Sequence, residues 1–79
     1  MSRTIRDSRG RHWDIVVGRE SYGMQVLLFF PSSGEGVRKK AMEASTRLDA
    51  EAELANLSDR ELEQRLRDAQ AWDDTGPPT

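Results

Sequence analysis

Apolar and polar residues alternate along the first half of the chain, and alternation at every second residue is typical of a β-strand. Residues 11 to 17 show this pattern most clearly, because one side of an extended chain would carry Trp13, Ile15 and Val17. The preceding segment "DSRG", residues 7 to 10, has Asp first and Gly fourth, as a type I turn prefers. Together these features predict a β-hairpin whose short first strand opens at Ile5.

The segment "MQVLLFFP", residues 24 to 31, is apolar on both sides of an extended chain. One side would carry Met24, Val26, Leu28 and Phe30, and the other Leu27 and Phe29. A strand with two apolar sides usually lies in the centre of a sheet and is covered on both faces. Pro31 has no N–H group to donate, so we expect the strand to end there.

Residues 37 to 44, "VRKKAMEA", fit either a strand or a helix. Val37, Lys39 and Ala41 would share one side of a strand, whereas Val37, Ala41 and Ala44 would line up on a helix. The short glycine-containing segment "SSGEG" separates these residues from a strong strand, which favours a hairpin and therefore another strand. The helix stays open as the alternative.

In the second half of the chain the apolar residues follow helical spacing, and Ala, Leu, Glu and Arg are frequent, all of which favour helices. Thr46 as an N-cap predicts a first helix over residues 46 to 56. Ser58 followed by Glu61 is a capping-box signature, so it predicts a second helix over residues 58 to 72.

These elements predict one small α+β domain over residues 1 to 72. Its sheet, over about residues 4 to 44, is an antiparallel β-meander of three or four strands, and a C-terminal helical hairpin packs on it. Two short helices cover only one face, so the other face needs Tyr22, strong curvature of the sheet or a second subunit. The tail, residues 73 to 79, has two prolines and a glycine and is predicted to be disordered.

The chain has 79 residues and no cysteine, so packing or oligomerisation must stabilise it in place of disulfides. Its longest apolar run, Val26 to Phe30, is far shorter than the roughly 20 residues that span a bilayer. The N-terminal segment has no apolar stretch after its basic residues, so we expect no signal peptide. The expected location is the cytoplasm, away from the membrane.

Catalytic and metal-binding patterns are missing from the sequence. His12 and Asp14 would share one side of a strand, but no serine has the context of a nucleophile elbow. One histidine without cysteine cannot form a typical zinc site. The segment "SSGEGVRKK" lacks the spacing of a phosphate-binding loop. We therefore predict no enzyme activity, no catalytic or metal-ligating residue and no cofactor.

Charge is divided unevenly along the chain. Residues 1 to 42 carry eight basic and four acidic side chains, whereas residues 43 to 79 carry four basic and ten acidic ones. The basic half supplies the candidate contacts to an anion or nucleic acid, which are Arg3, Arg6, Arg9, Arg11, Arg19, Arg38, Lys39 and Lys40.

Two functions fit these patterns. The leading hypothesis is a small non-catalytic protein-interaction or regulatory module that binds a protein partner or forms a homodimer, since apolar sheet surface is in surplus. The alternative is a nucleic-acid-binding accessory domain whose basic sheet half lies along the phosphates.

Overall fold

The computed structural model describes residues 2–20, 23–32, 34 and 36–72. They form an α+β fold, as predicted: an antiparallel sheet followed by two helices. The strands are neighbours in chain order: β1 Ser2–Arg6, β2 His12–Arg19, β3 Gln25–Pro31, β4 Arg38–Ala41 and β5 Gln70–Ala71. The helices are α1 Arg47–Asn56 and α2 Asp59–Asp68. Tyr22 and the predicted disordered tail lie outside the described residues.

The described sheet has five strands, more than the three or four predicted, because the second helix ends early. α2 ends at Asp68 and not at Trp72, so the predicted range was wrong at its end. The next residues pair with β4 in a register that places Ala71 opposite Arg38, and the Trp72 N–H donates to the Val37 carbonyl at 2.8 Å. Without β5, the backbone groups on this side of β4 would form an open edge.

Of the two alternatives for residues 37 to 44, the strand is the one that forms. β4 runs antiparallel to β3, with Arg38 opposite Phe29. In the connection, Gly34 donates its N–H to the Pro31 carbonyl at 3.1 Å and has a φ of +80°, which glycine adopts without steric cost.

Both helices pack on the same face of the sheet, which we call the covered face. The core lies between this face and the helices and consists of Ile5, Trp13, Ile15, Val17, Leu27, Phe29, Met42, Ala50, Leu54, Leu57, Leu62 and Leu66. The alternation predicted for β2 and β3 therefore corresponds to the side of the sheet that meets the helices.

Side-chain caps begin both helices where the sequence predicts them. Thr46 Oγ1 accepts the Asp49 N–H at 3.1 Å. Ser58 and Glu61 form a complete capping box, with one hydrogen bond in each direction at 2.9 and 3.1 Å. Neither helix is long and apolar enough to cross a bilayer.

Candidate functional site

The face of the sheet opposite the helices, which we call the open face, has no described helix packed on it. Side chains alternate along each strand, so the strand registers determine which residues belong to this face. They place an apolar group on it, consisting of Val16, Val26, Leu28, Phe30, Val37, Ala41 and Trp72.

This apolar group is most exposed at one end of the open face. Phe30 is 40% exposed and Trp72 is 41% exposed. Phe30 lies one position beyond the pair Phe29–Arg38, so Val37 follows beside it, and Val37 accepts the Trp72 N–H. Phe30, Val37 and Trp72 thus form a row across neighbouring chain segments, which we call the aromatic row.

The middle of the open face is closed by its own side chains, whereas Met24 at the far end is 52% exposed. Val26 is 2% and Leu28 9% exposed, although neither belongs to the core under the helices. Leu28 leans over Gly18, since a Cβ added at Gly18 would lie 2.6 Å from Leu28 Cδ1. Lys39 Nζ contacts Glu20 Oε2 at 2.9 Å and so links β4 to the end of β2 across β3. Val26 is therefore buried beside the Gly18–Leu28 contact and the Lys39–Glu20 ion pair, although no described helix covers it.

The eight basic residues predicted to contact an anion do not share one face. Alternation places Arg6 and Lys39 on the open face, and Arg3, Arg19 and Lys40 on the side of the helices. Lys39 is engaged with Glu20. The structure brings together only Arg9, Arg11 and Arg38, in a cleft at one end of the sheet. The described residues therefore form no continuous basic surface along the sheet.

Arg3 is used inside the protein. Its Nη1 donates to the Leu54 and Leu57 carbonyls, both at 2.8 Å, and its Nη2 contacts Asp59 Oδ1 at 2.9 Å. Carbonyls at a helix C-terminus lack intrahelical partners and favour a nearby cation. The last turn of α1 contains no basic residue, so β1 supplies the cation. No local sequence signal indicates this role, because the partners are 51 to 56 residues away.

The cleft, which we call the arginine cleft, has a volume of about 360 Å³ and lies at the end of the sheet where the β1–β2 turn meets α2. It is lined by Asp7, Ser8, Arg9, Arg11, Trp13, Arg38, Glu63, Leu66 and Arg67. Four guanidinium groups thus accompany two carboxylates. The aromatic row lies at this same end of the sheet, on the open face.

Asp7 organises the β1–β2 turn. Its Oδ1 accepts the backbone N–H groups of Arg9 and Arg11, both at 2.9 Å, and its Oδ2 accepts the indole N–H of Trp13 at 3.0 Å. The Trp13 hydrogen bond, followed by the one from the Arg11 backbone, lowers the pKa of Asp7. The ionised carboxylate therefore fixes both the turn and the orientation of the indole ring.

Glu63 connects the same turn to α2. Its Oε2 accepts the backbone N–H of Ser8 at 3.0 Å and contacts Arg67 Nη2 at 3.3 Å. The turn that carries two of the cleft's arginines is therefore anchored on both sides, to the sheet by Asp7 and to the helix by Glu63.

His12 and Asp14 are both exposed on the open face. Asp14 Oδ1 accepts the hydroxyl of Thr4, its partner across the β1–β2 pair, at 2.9 Å. In the part of the chain that the structure describes, no group of three or more His, Cys, Asp or Glu side chains is placed to hold a metal ion. The geometry of Asp14 thus reflects strand pairing.

No protein-family model, curated protein or solved structure significantly matches the chain. Its own geometry offers two surfaces for binding. The aromatic row is apolar and lies on the open face, and the arginine cleft is cationic and lies on the side of the helices.

Proposed function

We propose that this chain is a small non-catalytic protein-interaction module that binds its partner through the open face. The observation that carries the proposal is the aromatic row, because Phe30 and Trp72 are each about two-fifths exposed where no described helix covers the sheet. Large apolar side chains exposed side by side are typical of protein contact sites. The partner is either another protein or a second copy of this chain.

The surroundings of the row support this proposal. Asp14, the cross-strand neighbour of Phe30, is held by the Thr4 hydroxyl, and the Lys39–Glu20 ion pair lies farther along the same face. Protein interfaces commonly combine an apolar centre that contains aromatic residues with a polar rim. The aromatic side chains of such a centre often dominate the binding free energy.

The test compares the wild-type chain with the double variant Phe30→Thr/Trp72→Thr. Threonine removes the aromatic surface but favours strands. Leu48→Gln is the matched control. Leu48 is 79% exposed on α1, so this substitution also removes apolar surface, but away from the open face. Sedimentation equilibrium at micromolar concentration measures self-association, and affinity capture from the native organism measures the stoichiometry of any complex with another protein.

We expect the wild-type chain and Leu48→Gln to form the same complex in a fixed ratio. The double variant should bind at least about tenfold more weakly, since each aromatic anchor typically contributes more than about 1 kcal/mol. Circular dichroism checks that all three chains are folded. A double variant that retains the wild-type complex, or a wild-type chain that forms no complex at all, would contradict the proposal.

The alternative function is that of a nucleic-acid-binding accessory domain, and it is favoured by the meeting of Arg9, Arg11 and Arg38 in one cleft. The position of Arg3, whose guanidinium caps α1, argues against it. Binding to DNA or RNA must weaken steeply as salt rises, because counterions are released on binding. Such binding, reduced when Arg38, Lys39 and Lys40 are all changed to Gln, would favour this alternative.

A further inference from the structure

The arginine cleft goes beyond the proposed interaction, because it lies on the other side of the sheet from the open face. Its four guanidinium groups exceed its two carboxylates, so the lining carries an excess of two positive charges. Asp7 and Glu63 already accept five hydrogen bonds from donors within the protein. These carboxylates therefore shape the cleft, and Glu63 pairs with one of its four arginines, Arg67.

The backbone positions of Arg9 and Arg38 are fixed by their surroundings. The Arg9 N–H is bound by Asp7, and Arg38 lies in β4 between Phe29 and Ala71. Both side chains are exposed, and neither takes part in any of the ion pairs found between described residues. The backbone thus presents at the cleft two arginine side chains that are unpaired among the described residues, and binding an anion would order only these side chains.

Arg38 occupies an unusual position for a cation. Its register opposite Phe29 directs it to the side of the helices, where the neighbouring strands contribute apolar core residues. It nevertheless remains exposed, because it lines the cleft and not the core. Packing of the core therefore does not hold the Arg38 guanidinium, which is left to line the cleft.

We propose that the arginine cleft binds a dianionic phosphoryl group, either inorganic phosphate or a phosphate monoester. Guanidinium groups bind phosphate oxygens through paired, charge-assisted hydrogen bonds. A monoester carries a charge of about −1.5 to −2 near neutral pH, which matches the excess of two positive charges, whereas a carboxylate or a phosphodiester carries one. The volume of about 360 Å³ also lies in the range of roughly 300–1,000 Å³ that is usual for small-ligand sites.

The test is a titration of the ¹⁵N-labelled chain, followed by NMR at constant ionic strength. The probes are inorganic phosphate, methyl phosphate, dimethyl phosphate and a single-stranded oligonucleotide. The reporters are the Trp13 indole N–H and the Arg9 and Arg11 amides, since all three donate to Asp7 at the cleft. We expect saturable shifts of these signals with the two dianions, and binding of dimethyl phosphate at least about tenfold weaker because it has half the charge.

Three variants show whether phosphate binds in the arginine cleft. Arg9→Gln and Arg38→Gln should each weaken phosphate binding about tenfold, the loss expected for one charge-assisted hydrogen bond. Arg19→Gln removes the same charge from an exposed arginine at the opposite end of β2 and should leave binding nearly unchanged. The wild-type amide spectrum identifies folded variants, and the wild-type titration tests the proposal even if a variant does not fold.

Three outcomes would overturn the proposal. The first is the absence of saturable shifts with phosphate, and the second is an equal loss of affinity in Arg19→Gln and Arg38→Gln, which indicates diffuse attraction. The third is an oligonucleotide that binds and is not displaced by phosphate, which indicates recognition of a phosphodiester backbone. None of these measurements depends on the open face, so they are independent of the protein-interaction proposal.

Discussion

The two faces of the sheet bury their apolar side chains in different ways. On the covered face the helices bring Leu54 and Leu62 into the core that contains Phe29, and all three are 0% exposed. On the open face burial is complete only in the middle, so Val26 is 2% exposed while Phe30 is 40% and Met24 52% exposed. Both faces carry apolar side chains, but helices cover only one of them, so the open face keeps exposed apolar surface.

This difference implies that the two faces contribute unequally to the free energy of unfolding. Full burial of a large apolar side chain contributes roughly 1.5–3 kcal/mol. At about 0.05–0.15 kcal/mol per residue, a domain of this size has a free energy of unfolding of roughly 4–12 kcal/mol. A few side chains of the covered face therefore decide whether the chain folds, whereas Phe30 and Trp72 keep about two-fifths of their surface exposed after folding.

The sharpest test of this comparison uses the adjacent residues Phe29 and Phe30, which point to opposite faces. Phe29→Ala should lower the free energy of unfolding by about 3–5 kcal/mol, enough to unfold much of the population, because a large cavity remains in the core. Phe30→Ala should lower it by about 1 kcal/mol or less, since Phe30 is already 40% exposed. Urea denaturation followed by circular dichroism measures both, and equal losses would refute the distinction between the faces.

A smaller effect is expected where the covered face joins the helices. Arg3→Ala leaves the Leu54 and Leu57 carbonyls without their guanidinium donor and should lower the free energy of unfolding by about 1.5–3 kcal/mol. Arg6→Ala, on the same strand but exposed on the open face, should change it by no more than about 0.5 kcal/mol. Chemical denaturation compares them, and a similar small change in both variants would mean that Arg3 does not hold α1 in place.

The architecture could be read from sequence because its signals are local. Alternation in β2, the capping box at Ser58 and the N-cap at Thr46 each involve residues a few positions apart, and each appears in the structure where it was expected. β5 was missed since its residues continue a helical composition. It forms because β4, some thirty residues earlier, offers backbone partners, and such pairing has no local signature.

The candidate sites depend still more on distant contacts. Charge counting selected eight basic residues, but it could not separate Arg3, which caps α1, from Arg9, Arg11 and Arg38, which line one cleft. One wall of the cleft comes from α2, far along the chain from these arginines. The aromatic row depends on β5, which the sequence did not predict and which places Trp72 beside Val37. These groupings arise from the register of the sheet, which a single sequence does not specify.

A third prediction concerns the buried middle of the open face. Gly18→Ala would place a methyl group 2.6 Å from Leu28 Cδ1, so the Leu28 side chain must move away from its place over residue 18. We expect a loss of about 1–2 kcal/mol in the free energy of unfolding. Gly36→Ala is the control, because a Cβ at Gly36 meets no atom within 4 Å. Thermal denaturation compares the stability of both variants. A Gly18→Ala variant as stable as the wild type would show that close packing of Leu28 on Gly18 does not stabilise the fold.

The smallest expected effect is a pH dependence that arises at the edge of the covered face. The Trp13 indole N–H and the Arg11 and Arg9 amides lower the pKa of Asp7 in the folded chain below its ordinary value of 3.8. The stabilisation is therefore present above about pH 4 and is lost as the pH falls through the lower, folded-state pKa. Asp7→Asn should melt below the wild type at pH 7, and the difference should shrink towards pH 2. Asp14→Asn, which removes the same charge from the open face, controls for net charge. Melting curves from pH 2 to pH 7 measure the effect, and a constant difference between wild type and Asp7→Asn over that range would show that the ionised carboxylate does not stabilise the turn.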